Sequence, residues 1–507
     1  MRSTTPSSDS SPPSAIDALA NLAAMAASTP LVIGVDSSTQ SVKVEARALD
    51  TGVVVAVGRA AHPSTTPPVS EQDPVAWWEA LCAAIAELGE HREQVVAIAV
   101  AGQQHGMVLV DEAGAVVRPA RLWNDTTSAP EATALVEALG ASRWATLTGS
   151  VPVASFTITK LAQMATHEPD VLARATRVML PHDYLTWRLC DRVVTDRGDA
   201  SGSGWFDPSA DAVVPDLLRA AGAGHLIDGV PEVLGPLEIA GTLTDAAAAA
   251  LGLRAGIDVA AGTGDNMAAA LGLGLRPGDS AISLGTSGTV FAVSTTATHD
   301  VTGAVAGFAD ADGGFLPLVC TLNATRVTDT VASWVGRDAA GFADLALSTV
   351  DDPGSAILVP YFDGERTPNL PDATGTLVGL TNTTTAPQLA LAAVDGVLCG
   401  LLDGRDALGD LGVGLDGRIF LIGGGSRSAA ARQRAADLTH TAVVVPDTDE
   451  TVATGAAVQA AAAHEHQTSQ ATIATVQQRW QLGAGTTVEP GRDARDRRLA
   501  YRTGAQR

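Results

Sequence analysis

The chain has 507 residues, 46% of them hydrophobic and 17% charged, and a formal net charge of −24. At that length one core gives way to two or more domains. So acidic a balance argues against a nucleic-acid or anionic-membrane surface, since both need clustered lysine and arginine, and leaves open small anions that need only a local site.

No apolar run reaches the ~18 residues that a membrane helix needs. Cys82, Cys190, Cys320 and Cys399 lie far apart with no CxxC spacing, which gives no zinc or redox motif and fits a reducing cytoplasm. Lysine occurs only at Lys43 and Lys160. The first 30 residues are Ser/Pro-rich and then Ala-rich, broken by Asp17 and Asn21. They read as a disordered or weakly helical tail and not as a signal peptide.

From residue 31 the pattern is α/β. LVIGVD, SVKVEARAL and VVVAVGRAA predict three strands of a meander, and DPVAWWEALCAAIAEL predicts a helix. VVAIAVAGQ is continuously apolar, as in a parallel strand covered on both faces. ITKLAQMATHEP and LPHDYLTWRL read as helices, and IDVAAGTGDNMAAALGLG as strand, glycine turn and helix. LRPGD breaks the chain and the programme restarts. DSAISLGTSGTVFAVS is a hairpin, FLPLVCTL a strand, and a helix follows near residues 330–335. APQLALAAVDGVLCGLLDGRDAL is a long amphipathic helix. RIFLIGGGSRSAAARQRAADL is strand, triple glycine and helix, TAVVVPD a strand, and TVATGAAVQAAAAHEH a closing helix. Two halves that each begin with a glycine-bearing hairpin indicate duplication at domain scale, with a ligand cleft expected between the lobes. The expected divisions are a tail over 1–30, a first lobe over 31–276, a second over 277–467 and a tail over 468–507.

No GxxxxGK[ST], GxSxG or HExxH occurs. GVGLDG at 412–417 matches GxGxxG but precedes a strand, so it reads as a loop. The two hairpin turns can each offer backbone N–H and hydroxyl groups to an anion. Asp36 can hold Mg²⁺ through water, and Lys43 on the returning strand can place a charge on a phosphate. An ordinary hairpin with an edge lysine is the plain alternative for either one alone. Asp265, in GTGDN, opens a helix and is either its N-cap or a general base. Gln104 and His105, in GQQHG after a buried strand, suit sugar hydroxyls, although a lone histidine is usually structural. GGGS at 423–426 is either a tight strand-to-helix turn or a flat platform for a ring or phosphate.

Taken together these motifs resemble the FGGY family of carbohydrate kinases over residues 31–465. GTLVGLTNTTTAPQLALAAVD, at 375–395, is similar to the family's C-terminal signature, and TKLAQ around Lys160 to its N-terminal one. GQQHG, LWND, LPHDYLTWRL and TDRGDASGSGWFD are similar to its ketopentose kinases. The resemblance implies two ribonuclease-H/actin-like lobes, the first binding sugar and the second ATP. It implies Asp265 as catalytic base, with Gln104, His105, Asp265 and Asn266 on the sugar. Asp36 with Ser37, Ser38 and Thr39 would form one phosphate motif, Gly285 and Thr286 the other, and Gly424, Gly425 and Ser426 the adenosine site. The expected reaction is MgATP-dependent phosphorylation of a ketopentose, foremost D-xylulose. Ribulose, ribitol or gluconate remain alternatives, as does a non-catalytic sugar- or nucleotide-binding regulator. A homodimer is an open expectation. The chain departs from the family pattern at Gln163, where a tryptophan is usual, at Ala431, where an aromatic is frequent, and at Thr126–Thr127, where an arginine is common.

Overall fold

The computed structural model describes residues 29–448 and 450–506. Of the tail expected over 1–30, residues 1–28 lie outside this range. Two seven-stranded sheets organise the chain. The first holds β1 (Leu31–Ser37), β2 (Ser41–Ala48), β3 (Val54–Ala61), β4 (Val95–Gly102), β5 (Ile239–Thr242), β6 (Asp258–Ala260) and β7 (Thr263–Gly264). The second holds β8 (Ser280–Leu284), β9 (Gly288–Ala292), β10 (Ala306–Ala309), β11 (Phe315–Thr321), β12 (Ile419–Ile422), β13 (Val443–Pro446) and β14 (Gly485–Val488).

The orders are β5-β6-β4-β1-β2-β3, with β7 beside β4, and β10-β11-β9-β8-β12-β13-β14. Six strands of each correspond in order, while β7 of the first sheet and the edge strand β10 of the second have no counterpart. β1-β2-β3 is an antiparallel meander, and β8-β9-β11 is an antiparallel run of the same order with β10 inserted in sequence before β11. Each opens in parallel onto a second strand, β4 or β12, then onto a third, β6 or β13. An antiparallel edge strand, β5 or β14, closes each. The domain-scale repeat read from the sequence is therefore a repeat of topology.

β14 corrects the expectation for 468–507. This segment is not a loose end: it supplies the closing strand of the second sheet and the helix Arg495–Ala505. Arg497 there is buried and donates to Asp395 at 3.0 Å. Asp395 ends the C-terminal signature and also accepts from Arg434 at 2.8 Å, and Arg434 in turn donates to Asp437 at 3.0 Å. All four groups are buried. Such a cluster holds only because each charge is paired and hydrogen-bonded.

β1 is buried along its whole length. The Ala-rich helix Thr451–Ser469 lies on it, and Gly34 is what admits that helix: a Cβ there would sit 1.9 Å from Ala453 O. The same helix crosses Asp265–Gly272 through Gly455 and Gly272, where an added Cβ would meet backbone oxygen at 1.8 and 2.0 Å. So the closing helix of the sequence locks β1 and the Asp265 helix together. Ala386–Asp410 is long and apolar enough to cross a bilayer, but 72% of its apolar stretch is buried in the second lobe's core. The four cysteines are free thiols.

Candidate active site

β1 carries Asp36 to its end, opposite Lys43 of β2. Beside it β4 delivers the Gln103–Gln104–His105 loop. β7 continues the sheet by pairing in parallel with Ala101 and Gly102. That register sets Asp265, the next residue, beside Gln104. Gly264 makes the approach possible, because a Cβ there would meet the Gln104 side chain at 2.7 Å.

Asp265 is the first residue of the helix Asp265–Gly272, and the N-cap is Gly264. The cap alternative is thereby removed. Asp265 Oδ1 accepts from Asn266 N at 2.8 Å and Asn266 Nδ2 at 2.9 Å. Asn266 Nδ2 also donates to Gln104 Oε1 at 2.9 Å, so three of the expected sugar residues form one unit. The Gln104 Nε2 group is buried with no partner at full hydrogen-bond geometry among the described residues, and Asp199 is the acid nearest to take it. Burial, with the nearby charges of Asp36 and Asp199, pushes the Asp265 carboxyl up to about 7. A place in the first turn of a helix would by itself favour the ionised form. Instead it is poised to take or give a proton near neutrality, as a general base requires.

His105 sits at φ 65°. Its Nδ1 donates to Gly202 O at 2.7 Å, which leaves Nε2 as an acceptor. Its ring stacks on Phe156 at 4.9 Å, and Phe308 of the second lobe approaches it at 5.7 Å. Burial, helped by the charge of Lys160, holds the imidazole neutral, with its pKa lowered to about 3. Lys160 is itself fully buried. Its ammonium donates to His105 O at 3.2 Å and to the carbonyls of Ala154, Ser155 and Phe156. The signature lysine therefore holds backbone together around the histidine.

Asp36 is buried, and its Oδ1 has no hydrogen-bond partner among the described residues. Burial raises it to about 7, against the opposing charge of Lys43. An unsatisfied carboxylate oxygen at a strand end fits a Mg²⁺ ion held through water, which takes few protein ligands beside phosphates. No cluster of three or more metal-ligating side chains occurs among the described residues.

Lys43 is placed differently from expectation. Its ammonium pairs with Glu450 at 2.9 Å, and Arg59 binds the same carboxylate. Glu450 stands at the N-cap position of the closing helix, its carboxylate given to Lys43 and Arg59, so Lys43 ties that helix to the first hairpin and is not a free charge for a phosphate. In the turn, Ser37 is buried and its carbonyl accepts from Gln103 N at 2.9 Å. Ser38 Oγ donates to Ser41 O at 3.0 Å. Thr39 Oγ1 donates to Gln103 Oε1 at 3.1 Å and accepts from Trp123 Nε1 at 2.9 Å. Thr39 thus fastens the turn to the glutamine loop.

The second hairpin leaves Thr286 exposed at its tip, and Gly285 O accepts from Thr325 N at 3.0 Å. β12 runs parallel to β8, which brings GGGS against this turn. The glycines differ. Gly423 takes φ 81° against Leu284, and a Cβ on Gly425 would strike Leu284 and Thr325 at 2.7 Å, so both are required for packing. Gly424 faces open space. Ser426 Oγ donates back to Gly423 O at 2.8 Å. Gly424 is the member of the three with a free face.

The sequence reading missed a buried cluster behind Gln104. His182 Nδ1 bonds Asp199 Oδ2 at 2.7 Å, and its Nε2 lies 3.2 Å from Asp183 Oδ1. Burial opposes charge on this imidazole, but Asp183, Asp199 and Asp196 outweigh it and raise it to about 9. Asp196 caps the short helix Arg197–Ala200 and accepts from Thr263 Oγ1 at 2.7 Å, which links the cluster to β7. The acid-rich TDRGD run was the available signal. Two departures from the family pattern answer one another: Gln163 Nε2 donates to Thr127 O at 2.7 Å, and Thr127 Oγ1 to Gln163 Oε1 at 3.3 Å.

Residues 31–272 match the N-terminal domain of the FGGY family of carbohydrate kinases and residues 280–464 its C-terminal domain. The xylulose kinase of Streptomyces rubiginosus is 47% identical over 466 residues, covering 92% of this chain and 93% of its own. That of Streptomyces coelicolor is 46% identical over the same length and coverage. The crystal structure of xylulose kinase from Bifidobacterium adolescentis superposes with a TM-score of 0.82 at 40% identity, over 94% of this chain and 99% of that one. With its two matched domains, its repeated sheets and its paired turns, this chain belongs to the FGGY family of carbohydrate kinases.

Proposed function

We propose that this chain transfers the γ-phosphoryl group of MgATP to the terminal hydroxyl of D-xylulose, giving D-xylulose 5-phosphate. The observation that carries the reading is the Asp265–Asn266–Gln104 unit. It combines a carboxyl with a pKa near 7 with the Gln104 amide, beside a neutral histidine. Relatives that cover nine-tenths of the chain and are named xylulose kinases support the choice of sugar.

In this reading Gln104, His105 and Asn266 orient the sugar and Asp265 removes the hydroxyl proton. Thr286 and the turn amides of both hairpins receive the phosphates, and Gly424 the adenosine. Mg²⁺ held by Asp36 supplies charge neutralisation when bound. Phosphoryl transfer asks for positioning and charge stabilisation more than covalent chemistry, and the residues here supply those. The four free thiols fit a cytoplasmic setting. ADP release measured with D-xylulose, L-ribulose, ribitol, gluconate and glycerol tests the reading. D-xylulose should give the largest kcat/KM, and a larger value for any other acceptor overturns the choice of sugar.

A further inference from the structure

Arg366 belongs to the second lobe, in the loop after the strand Ile357–Val359, yet its guanidinium crosses to the first. Its Nη2 donates to Ser155 Oγ at 3.4 Å. Ser155 immediately precedes Phe156, the ring that stacks on His105. The charge of Arg366 is felt on both sides of the sugar site. It acts on His105 and Lys160 in the first lobe, and on the Cys320 thiol of β11, where Asp265 acts with the opposite sign. The guanidinium therefore stands beside the segment whose next residue, Phe156, stacks on His105.

It is also a cation without an acid. No carboxylate comes within 4.0 Å of it among the described residues, whereas Arg418, Arg434 and Arg497 are all paired. The adjacent acid is spent elsewhere. Glu365 is buried, and its carboxylate accepts from Leu322 N at 2.6 Å, Asn323 Nδ2 at 3.0 Å and the backbone N of Arg366 at 2.7 Å. That carboxylate fixes the loop and leaves the guanidinium with one long bond to a hydroxyl. A guanidinium carries five N–H donors in a planar fork, shaped for an anion with several oxygens.

We propose that Arg366 binds the phosphoryl group during transfer, as a cation that the nucleotide lobe contributes to the sugar site. The proposal rests on Asp265 as base. The terminal hydroxyl oxygen of the sugar forms a bond to the γ-phosphorus. The bond from that phosphorus to the bridging oxygen of ADP breaks, and the hydroxyl proton passes to Asp265. Negative charge spreads over the three equatorial oxygens of the phosphoryl group, and the fork of Arg366 meets it there. Afterwards the same fork holds the phosphate ester of the product.

Three variants test this: Arg366→Met removes the fork, Arg366→Lys keeps the charge, and Ser155→Ala removes only the tether. Arg366→Met should lower kcat by at least about 10²-fold, toward the 10³–10⁵ attributed to arginines supplied to other phosphoryl transfers. The Kd for D-xylulose, measured calorimetrically without nucleotide, should stay within about threefold of wild type, because the fork meets charge that the free sugar lacks. Inhibition by D-xylulose 5-phosphate should weaken at least tenfold, roughly the value of one charged hydrogen bond. Arg366→Lys should recover part of kcat, and Ser155→Ala should stay near wild type. A loss in Ser155→Ala equal to that in Arg366→Met would reduce Arg366 to a tether and overturn the proposal. So would an unchanged kcat in Arg366→Met, or a sugar Kd that rises as far as kcat falls. Wild type assayed in parallel separates the two readings: wild type inactive on D-xylulose refutes the choice of sugar, while active wild type with an unimpaired Arg366→Met refutes this one.

Discussion

Replacing Asp265 by asparagine separates catalysis from stability. The folded-state pKa of this carboxyl is about 7, against 3.8 for an ordinary aspartate. Between those values the unfolded chain releases the proton and the folded chain keeps it. Asp265 therefore supports folding at low pH and loses that contribution as pH rises through about 7. The gap is about 3 pH units at about 1.4 kcal/mol each, so the ionised carboxylate costs the folded protein at most about 4 kcal/mol above pH 7. Asparagine never ionises, and its Oδ1 can still accept from Asn266 N and Nδ2. Asp265→Asn should raise the melting temperature at pH 8 by several degrees, with the gain shrinking toward zero as pH approaches 4. The same change removes the base, for which a loss of about 10²–10⁴ in kcat is expected. Scanning fluorimetry from pH 4 to 8 and steady-state kinetics on one preparation read both effects. A variant that keeps kcat within tenfold, or whose melting point shifts equally at both pH values, refutes the reasoning.

Other substitutions probe separate parts of the account. Asp395→Asn strips the shared partner from buried Arg434 and Arg497 and should destabilise by roughly 3–5 kcal/mol; a melting temperature equal to wild type would contradict that. His105→Ala should raise the KM for sugar well beyond that for ATP, since losing a buried hydrogen bond to the ligand costs roughly 1–3 kcal/mol. Equal effects on both KM values would mark a structural histidine. Lys43→Met should lower stability through Glu450 while leaving the KM for ATP within about twofold, the size expected where no phosphate contact is lost. A large rise in that KM would restore Lys43 to the phosphate site.

The legible parts of the sequence were those set by local pattern. β1 to β3, the buried β4 and the hairpin β8–β9 follow from apolar runs and turn residues, and Asp265 and Gln104 stood out because glycines flank them. What the sequence hid depends on partners far along the chain. Lys43 looked free because Glu450, its partner, is some 400 residues away. β14 looked like a tail because its strand is short and half exposed, and only pairing with β13 gives it a place. Gly423 and Gly425 looked like a nucleotide platform because packing against Leu284 leaves no trace in local composition. The His182 cluster needed residues from three elements to meet. In each case a contact across the fold decided the role, and no spacing rule encodes it.

Transfer from ATP to a sugar hydroxyl with Asp265 as base can be followed with γ-labelled ATP in the presence of D-xylulose and Mg²⁺, in wild type and in Asp265→Asn. Wild type should move the label onto the terminal carbon's oxygen as a stable ester, and Asp265→Asn should bind both substrates but form the ester at least about 10²-fold more slowly. Label that appears only as inorganic phosphate, or an ester formed equally fast by the variant, would contradict transfer with Asp265 as base.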